Sequence, residues 1–523
     1  MQLRYILHEL SSGNDSWILI YAFSGTFIAY ILAKAIYNLY FHPLRSYPGP
    51  FLSRASRLPH VIRVTSGHGP MIVHKLHEKY GPVVRIAPNH LSYTDLRAWK
   101  DIYGHRSGPQ HANTPENPKS RLFYRDDDDD AEPPPNILNA SREEHSRLRR
   151  AIAHGFSDRA MREQEPLIQR YVDLLAKGLR ESGEEGKKPL DLVKWYNWAT
   201  FDIIGDLTFA ESFGCLEEKR THPFVEMITG VVTQGVWLFA LRYLRLKWAV
   251  RLVLRGTWND PFGQLRKGMT EKLEHRLSIE KERFDLFEGL MKRREEWNLD
   301  MKRLQSNASI IVAAGSETTA SLLTGVTYLL LENPKTMEKL KQEVRSAFKS
   351  ADEITIASVS RLPYTMACLN EALRRWPPAA SNLAREVHKG GEFISGKFLP
   401  ERTIVEVQQY SMHHSSEHWH EPYAFLPERF LHKFEGRFGA GDETEEKNPY
   451  GDNLEALQPF SVGPRNCVGK NLAYAEMRLI LARIIYDFDL RPAVDLKAWF
   501  KQARVYTVWA KAPLYVQLIP AKR

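Results

Sequence analysis

The sequence predicts a mainly helical α+β fold with small β-sheets, preceded by an N-terminal membrane-spanning helix. Three patterns carry that expectation. Helical periodicity runs from Arg303 to Leu331, where Asn333-Pro334 stops it, and again from Leu362 to Trp376, where Pro377-Pro378 stops it. Short β-branched stretches, Val83 to Ile86 after Gly81-Pro82 and Thr403 to Val407, read as strands at the edges. The segment Trp17 to Ala33 is apolar and contains no charged residue.

That first segment would span roughly 26 Å as a helix, close to a hydrocarbon core of about 30 Å. The apolar residues after Lys34 extend it, giving an anchor over 17–41 behind a lumenal N-terminus over 1–16. A buried core helix would show a polar face, and this one shows none. Glu9 and Asp15 stand where a signal peptide carries its basic region, which favours retention over cleavage. Lys34, Arg45, Arg54, Arg57, Arg63 and Lys75 follow the segment against Arg4 before it, so the larger C-terminal part is expected on the cytosolic side. Residues 42–50, with Pro43, Pro48 and Pro50, cannot continue the helix and form a stiff hinge.

Residues 51–523 show no repeat, no Gly/Ser linker and no second composition class, so one large domain is expected. The 523 residues are 43% hydrophobic and 26% charged, which excludes global disorder and leaves ample apolar side chain for a core. The net charge of +9 comes without a Lys/Arg-rich run carrying interleaved aromatics, which argues against nucleic-acid binding. The run Asp126 to Asp130 repels itself and reads as a solvated loop, its spacing unlike that of a calcium or zinc site.

Cys215, Cys368 and Cys467 are too far apart for a disulfide framework or a CxxC site. The third lies in PFSVGPRNCVGK, where Phe460, Gly463, Arg465, Cys467 and Gly469 form FxxGxRxCxG. Five fixed residues recur by chance in a chain of this length about once in 10⁴. A haem iron held by one thiolate needs its sulfur on a short loop against the porphyrin face. Glycines allow tight turns and close approach to a flat ring, and amides at the start of the following helix stabilise the thiolate. Arg465 is placed to reach a propionate, and Phe460 to shield the sulfur from water. Cys215 and Cys368 read as buried apolar cysteines.

With these residues the chain resembles the cytochrome P450 superfamily, and further motifs match residue by residue. Glu371 and Arg374 in NEALRRWPP, with Arg429 in LPERF, match a buried Glu-Arg-Arg trio that is structural in the family. AGSETT matches the oxygen-activation motif at Ala314, Gly315, Glu317, Thr318 and Thr319. There Ala314 and Gly315 leave room beside the haem, and the Thr318 hydroxyl is expected to bond the Ala314 carbonyl. Thr318 and Glu317 would then form a proton route and be the catalytic pair. HSRLRR resembles the WxxxR helix, with His145 in place of tryptophan and Arg149 one turn on; Arg385 and His413 stand where the family binds haem carboxylates.

The resemblance extends over nearly the whole chain, and YNLYFHPLRSYPGP, FSDRAMREQEPLIQ and TFDIIGDLTFAESFGC look like microsomal fungal members of specialised metabolism, including the trichothecene C-15 hydroxylase group. It implies a haem-thiolate catalytic domain over 51–523 that holds haem b with Cys467 as the iron ligand. The implied activity is a monooxygenase acting on an apolar terpenoid, alkaloid or polyketide. Asn307, Ile311, Ala313, Ser381, Asn382, Leu383, Tyr506 and Thr507 fall where substrate contacts are expected. Gly439 and Gly441 are followed by Thr444 rather than a third glycine, so no nucleotide-binding module is evident. Electrons are expected from a separate NADPH-cytochrome P450 reductase docking on the cysteine-loop side, with cytochrome b5 as a further donor, at the endoplasmic reticulum membrane in a single-pass topology. Other readings are a haem-thiolate isomerase or lyase acting on an already oxygenated intermediate, which could dispense with Thr318 and so is opposed by the intact AGSETT; a desaturating oxidase on such an intermediate; and a non-enzymatic membrane interaction protein, which would need neither Thr318 nor Cys467.

Overall fold

The computed structural model describes residues 13–106, 115–124, 134–246, 248–250, 252, 261–279, 283–381, 383–431 and 450–522. The five-aspartate run and Asn382 lie outside the described residues. In chain order, the elements that frame the site are α1 Gly13–Ile36, β1 Val83–Ala87, β2 His90–Tyr93, α2 Arg142–Ala153, α3 Asp158–Ser182, β3 Leu190–Asp191, α4 Leu192–Phe209, α5 Pro223–Tyr243, α6 Met301–Glu332, α7 Pro363–Arg375, β4 Arg385–Glu386, β5 Ile404–Val407, α8 Lys470–Asp487, β6 Phe488–Pro492 and β7 Tyr515–Pro520. The fold is helical with small sheets, as expected.

Local chemistry explains where the central helices begin and end. Asp300 caps α6 by accepting from the Arg303 N–H at 2.8 Å, and the helix stops before Pro334, whose ring cannot follow a helical Asn333. α7 carries Pro363 in its first turn, where the missing N–H costs nothing, and ends before Pro377. Ser141 accepts from the Glu144 N–H at 3.3 Å to open α2. Three helices among the described residues, including α6, are long and apolar enough to cross a membrane. α6 owes its apolarity to the core, packed against α4 and α8 with most of its length buried. The span Leu19–Phe41, by contrast, is exposed along its apolar length and meets the rest of the molecule only near its end, where Asn38 is buried and donates to the Ala55 carbonyl at 2.8 Å.

The larger sheet has the order β1-β2-β5-β4, with β2 and β5 parallel and the outer pairs antiparallel. β1 is an edge strand as expected, but β5 is interior: Ile404, Val405 and Val407 are fully buried between two neighbours, which is why the stretch is so rich in β-branched residues. Parallel pairing of His90–Tyr93 with Ile404–Val407 needs a crossover, and residues 94–403, with most of the helical body, supply it. A second sheet, β3-β7-β6, ties the C-terminus to the start of α4. The proline-rich stretch is stiff but not free-standing. Leu44 and Tyr47 are buried, the Pro48 carbonyl accepts from the Arg85 N–H at 2.7 Å, and Gly49 lies so close that a Cβ would sit 2.3 Å from the Arg85 carbonyl oxygen.

Candidate functional site

A cavity of about 340 Å³ opens between the middle of α6 and the loop that precedes α8. Ile310, Ile311, Ala314, Gly315, Thr318 and Thr319 form its α6 wall. Phe460, Arg465, Asn466, Cys467 and Gly469 face them from the loop, and Leu373, Leu383 and Arg385 close one side. Size and mostly apolar lining suit a cofactor-sized or small-molecule ligand.

The cysteine loop is held by its own backbone. The Cys467 N–H donates to the Phe460 carbonyl at 2.9 Å and the Asn466 N–H to the Gly463 carbonyl at 3.2 Å. Gly463 has φ +76°, and a Cβ there would meet the Tyr103 carbonyl oxygen at 1.8 Å, so only glycine fits. Gly469 differs from the expectation: its φ is −83°, and a Cβ would make ordinary contact with Phe156 at 3.6 Å and with the Cys467 Sγ at 4.0 Å. Any need for glycine at 469 therefore comes from what lies beside the sulfur, not from the turn. Cys215 and Cys368 are buried, whereas the accessible surface of Cys467 faces the cavity. Burial pushes the Cys467 thiol upward, opposed by the Gly469 N–H and by the charges of Arg149 and Lys470. Phe460 packs beside the loop on Tyr474, ring centroids 5.2 Å apart.

Cations crowd one end of the cavity. Lys119, Arg149, Arg385 and Arg465 all line it. Glu116 pairs with Arg465 at 2.7 Å and its charge also acts on Lys119 and Arg385. Arg149 donates to the Asn466 side-chain oxygen at 2.7 Å, and Arg385 donates to the Asn117 carbonyl at 3.2 Å while its buried Nε has no partner among the described residues. Burial holds the Lys119 ammonium well below the usual lysine range, and neighbouring Arg385 and Arg465 add to the effect. His145 is buried and lowered to about 4, first by burial and then by Arg465, so it adds no charge here at neutral pH. Sequence reasoning missed Lys119 and Glu116, which lie on a segment with no motif. Among the described residues three guanidiniums and the Lys119 amine face one carboxylate here, which leaves room for an anion, and a ligand with two carboxylates fits that demand.

On α6 the Thr318 hydroxyl donates to the Ala314 carbonyl at 2.6 Å, as expected. Gly315 serves helix packing: a Cβ there would meet Ile204 of α4 at 2.7 Å. Glu317 does not line the cavity. Its carboxylate pairs with the buried Lys511 Nζ at 2.5 Å, so the helix presents Thr318 inward and Glu317 to the C-terminal segment.

Glu371 receives both the Nε and Nη2 of Arg374, at 2.8 and 2.7 Å, and the Nε of Arg429 at 3.3 Å. Asp452, which no sequence pattern flagged, pairs with the far side of Arg429. The remaining arginine donors go to the carbonyls of His413, Pro422, Ala424 and His420. His413 is fully buried, lowered to about 3 by burial, with its carbonyl on Arg374, and it does not line the cavity.

Of the expected substrate contacts, Ile311 and Leu383 line the cavity. Asn307 is buried and turned away, its Oδ1 accepting from the Ile137 N–H at 3.0 Å and its Nδ2 donating to the Arg303 carbonyl at 2.9 Å; Ala313 also lies off the cavity. Ser381, Tyr506 and Thr507 line a smaller cavity of about 130 Å³, with His60 and Tyr124.

A family model described as Cytochrome P450 matches residues 48–517. A cytochrome P450 monooxygenase of Talaromyces stipitatus is 45% identical over 500 residues, covering 95% of this chain and 94% of that protein. Trichothecene C-15 hydroxylase of Fusarium sporotrichioides is 40% identical over 516 residues, 96% of this chain and 99% of its own. Averantin hydroxylase of Dothistroma septosporum is 42% identical over 500 residues, 95% and 90% respectively.

Proposed function

The chain belongs to the cytochrome P450 family, and from that premise we propose a membrane-anchored monooxygenase that holds haem b through Cys467 and places one oxygen atom from dioxygen into an apolar intermediate of fungal specialised metabolism. The observation that carries this reading is a single accessible cysteine sulfur facing a cavity of about 340 Å³, opposite a threonine whose hydroxyl bridges to the Ala314 carbonyl. A terpenoid, alkaloid or polyketide skeleton suits the apolar lining.

Haem, when bound, supplies the reductive activation of dioxygen. The chain's own residues do the rest. Cys467 would hold the iron through its sulfur, and Phe460 and the fixed loop would keep water from it. Arg149, Arg385, Arg465 and Lys119 would meet the two carboxylates of the bound group, completing the charge balance that Glu116 leaves open, with neutral His145 packed beside them. Thr318 holds a hydroxyl proton at the cavity wall, and Glu317, clamped by Lys511, fixes that turn of α6. The apolar side chains of Ile311 and Leu383 position substrate and exclude water.

Residues 17–41 anchor the protein in the endoplasmic reticulum membrane in a single pass, with 1–16 lumenal, 42–50 as hinge and 51–523 as the cytosolic catalytic domain. Electrons come from an NADPH-cytochrome P450 reductase docking on the cysteine-loop side, with cytochrome b5 as an additional donor. The test supplies the full chain in lipid with reductase, NADPH and isotope-labelled dioxygen, using metabolites that accumulate when the gene is deleted. The label is expected in the product. Conversion without NADPH and without label would replace this reading with an isomerase or lyase.

A further inference from the structure

The smaller cavity, of about 130 Å³, holds polar groups that the reading above does not use. It lies beside the larger one, because one segment walls both: Pro378, Ala379 and Leu383 face the larger space and Ser381 the smaller. His60, on the helix Leu58–Thr65, lines the smaller cavity and is buried, and neither of its ring nitrogens has a partner among the described residues. Its neighbours are already spent on one another. His90 bridges the Glu406 carboxylate and the Tyr243 hydroxyl, at 2.9 Å on either side, while its ring centroid lies 5.1 Å from that of His60. Arg63, on the same helix, donates through Nη1 to the Ser53 hydroxyl at 2.9 Å and through Nη2 to the Ile86 carbonyl at 2.6 Å. Its Nε has no partner among the described residues. Val64, Val73, Phe123, Val236 and Phe239 supply apolar wall around these groups.

We propose that this cavity is a recognition subsite for a hydroxyl carried by the substrate, with His60 as the residue that selects for it. The proposal deepens the monooxygenase reading and rests on it for the reaction that follows binding. Buried polar groups are normally hydrogen-bonded, so an imidazole with both nitrogens unpartnered beside a cavity points to a partner that the cavity admits. Burial holds His60 well below the usual histidine range, and neighbouring His90, Arg63 and Arg57 add to the effect, so at neutral pH the ring carries one N–H and one lone pair. A hydroxyl can give its proton to that lone pair and accept from the N–H of His60 or of Arg63 Nε. A carboxylate, which only accepts, leaves the lone pair unmet, and a hydrocarbon leaves every group unmet. Charge decides the same way. Arg63 and Glu406 both line this cavity and each acts on the other, so one cation meets one anion, and there is no excess like that at the end of the larger cavity. The volume is about four times the ~30 Å³ share of a water, which admits the hydroxylated end of a skeleton and leaves its carbon body to the larger space. A reaction that leaves a free hydroxyl on the skeleton must therefore come before this one.

The experiment measures equilibrium binding to the haem-loaded full chain in lipid discs, corrected for uptake by empty discs. The probes share one bicyclic body: decalin, 2-decalol and decalin-2-carboxylate. The wild type should bind 2-decalol about tenfold or more tighter than either of the others. His60→Phe keeps a ring against His90 and Tyr243 but has no polar atom, so it should bring 2-decalol to the level of decalin and leave decalin as in the wild type. Equal binding of alcohol and hydrocarbon in the wild type, binding of none of the three, tighter binding of the carboxylate, or a preference that survives His60→Phe overturns the proposal. Should His60→Phe fail to fold, Val64→Phe, which fills the cavity from its apolar wall, decides: preference lost supports the subsite, and preference kept overturns it. Binding needs no turnover. An alcohol preference that depends on His60 supports the subsite even where no labelled oxygen reaches product, and its absence overturns the subsite even where label does.

Discussion

Two buried clusters built from arginine and carboxylate differ in whether their charges close. Around Glu371, two arginines meet two carboxylates, Glu371 and Asp452, and the spare guanidinium donors go to carbonyls. At the cavity end, Lys119, Arg149, Arg385 and Arg465 gather about Glu116, which among the described residues pairs with Arg465 alone. A closed network fixes the chain segments it touches; an open one with excess positive charge is a site for an anion. The first cluster holds the segment 413–430 against α7, and the second faces the space where a haem's carboxylates would lie.

The largest effect is expected from breaking the closed cluster. Glu371→Ala strands the buried Arg374 guanidinium, takes one partner from Arg429, and should cost about 3–5 kcal/mol, read as a fall in the urea midpoint. Gly463→Ala comes next. A side chain at φ +76° aimed at the Tyr103 carbonyl should cost well over about 1 kcal/mol, while Gly469→Ala leaves the unfolding of the haem-free protein nearly unchanged. The open cluster should behave in the opposite way. Arg385→Met removes an under-satisfied charge, so the haem-free protein should keep its stability or gain up to about 1–4 kcal/mol, while haem retention on dilution falls. Loss of stability on the scale of Glu371→Ala would erase the distinction between the clusters.

The smallest effect is gradual and concerns histidines in both regions. His145 at the cavity is lowered to about 4 and His413 beside the Glu371 network to about 3, so the folded protein keeps both neutral while the unfolded chain protonates them near 6.5. The unfolded state then binds more protons, and unfolding free energy should decline as pH falls from about 6.5 towards 4. His145→Gln should reduce that decline; an unchanged slope would place the acid sensitivity elsewhere.

The elements around the site were legible because local chemistry sets them. Pro334 and Pro377 end their helices in the fold as they do in the sequence, and the Thr318 bond to Ala314 follows from i, i−4 spacing. What was not legible depends on long-range meeting of charges and shapes. Nothing near Glu317 announces Lys511, nothing near Arg429 announces Asp452, and Lys119 sits in a stretch without periodicity. Gly315 shows the same limit, since its reason is Ile204 across the helix interface. β5 was misplaced as an edge because strand order depends on a crossover of several hundred residues.

The central claim is that the Cys467 sulfur is an iron ligand. The most direct measurement is the absorbance of the purified full chain, loaded with haem, reduced and exposed to carbon monoxide. The account predicts the strongly red-shifted maximum of a thiolate-ligated haem in the wild type and its loss in Cys467→Ala. A wild-type protein that takes up no haem, or a thiolate-type maximum that survives in Cys467→Ala, would contradict it.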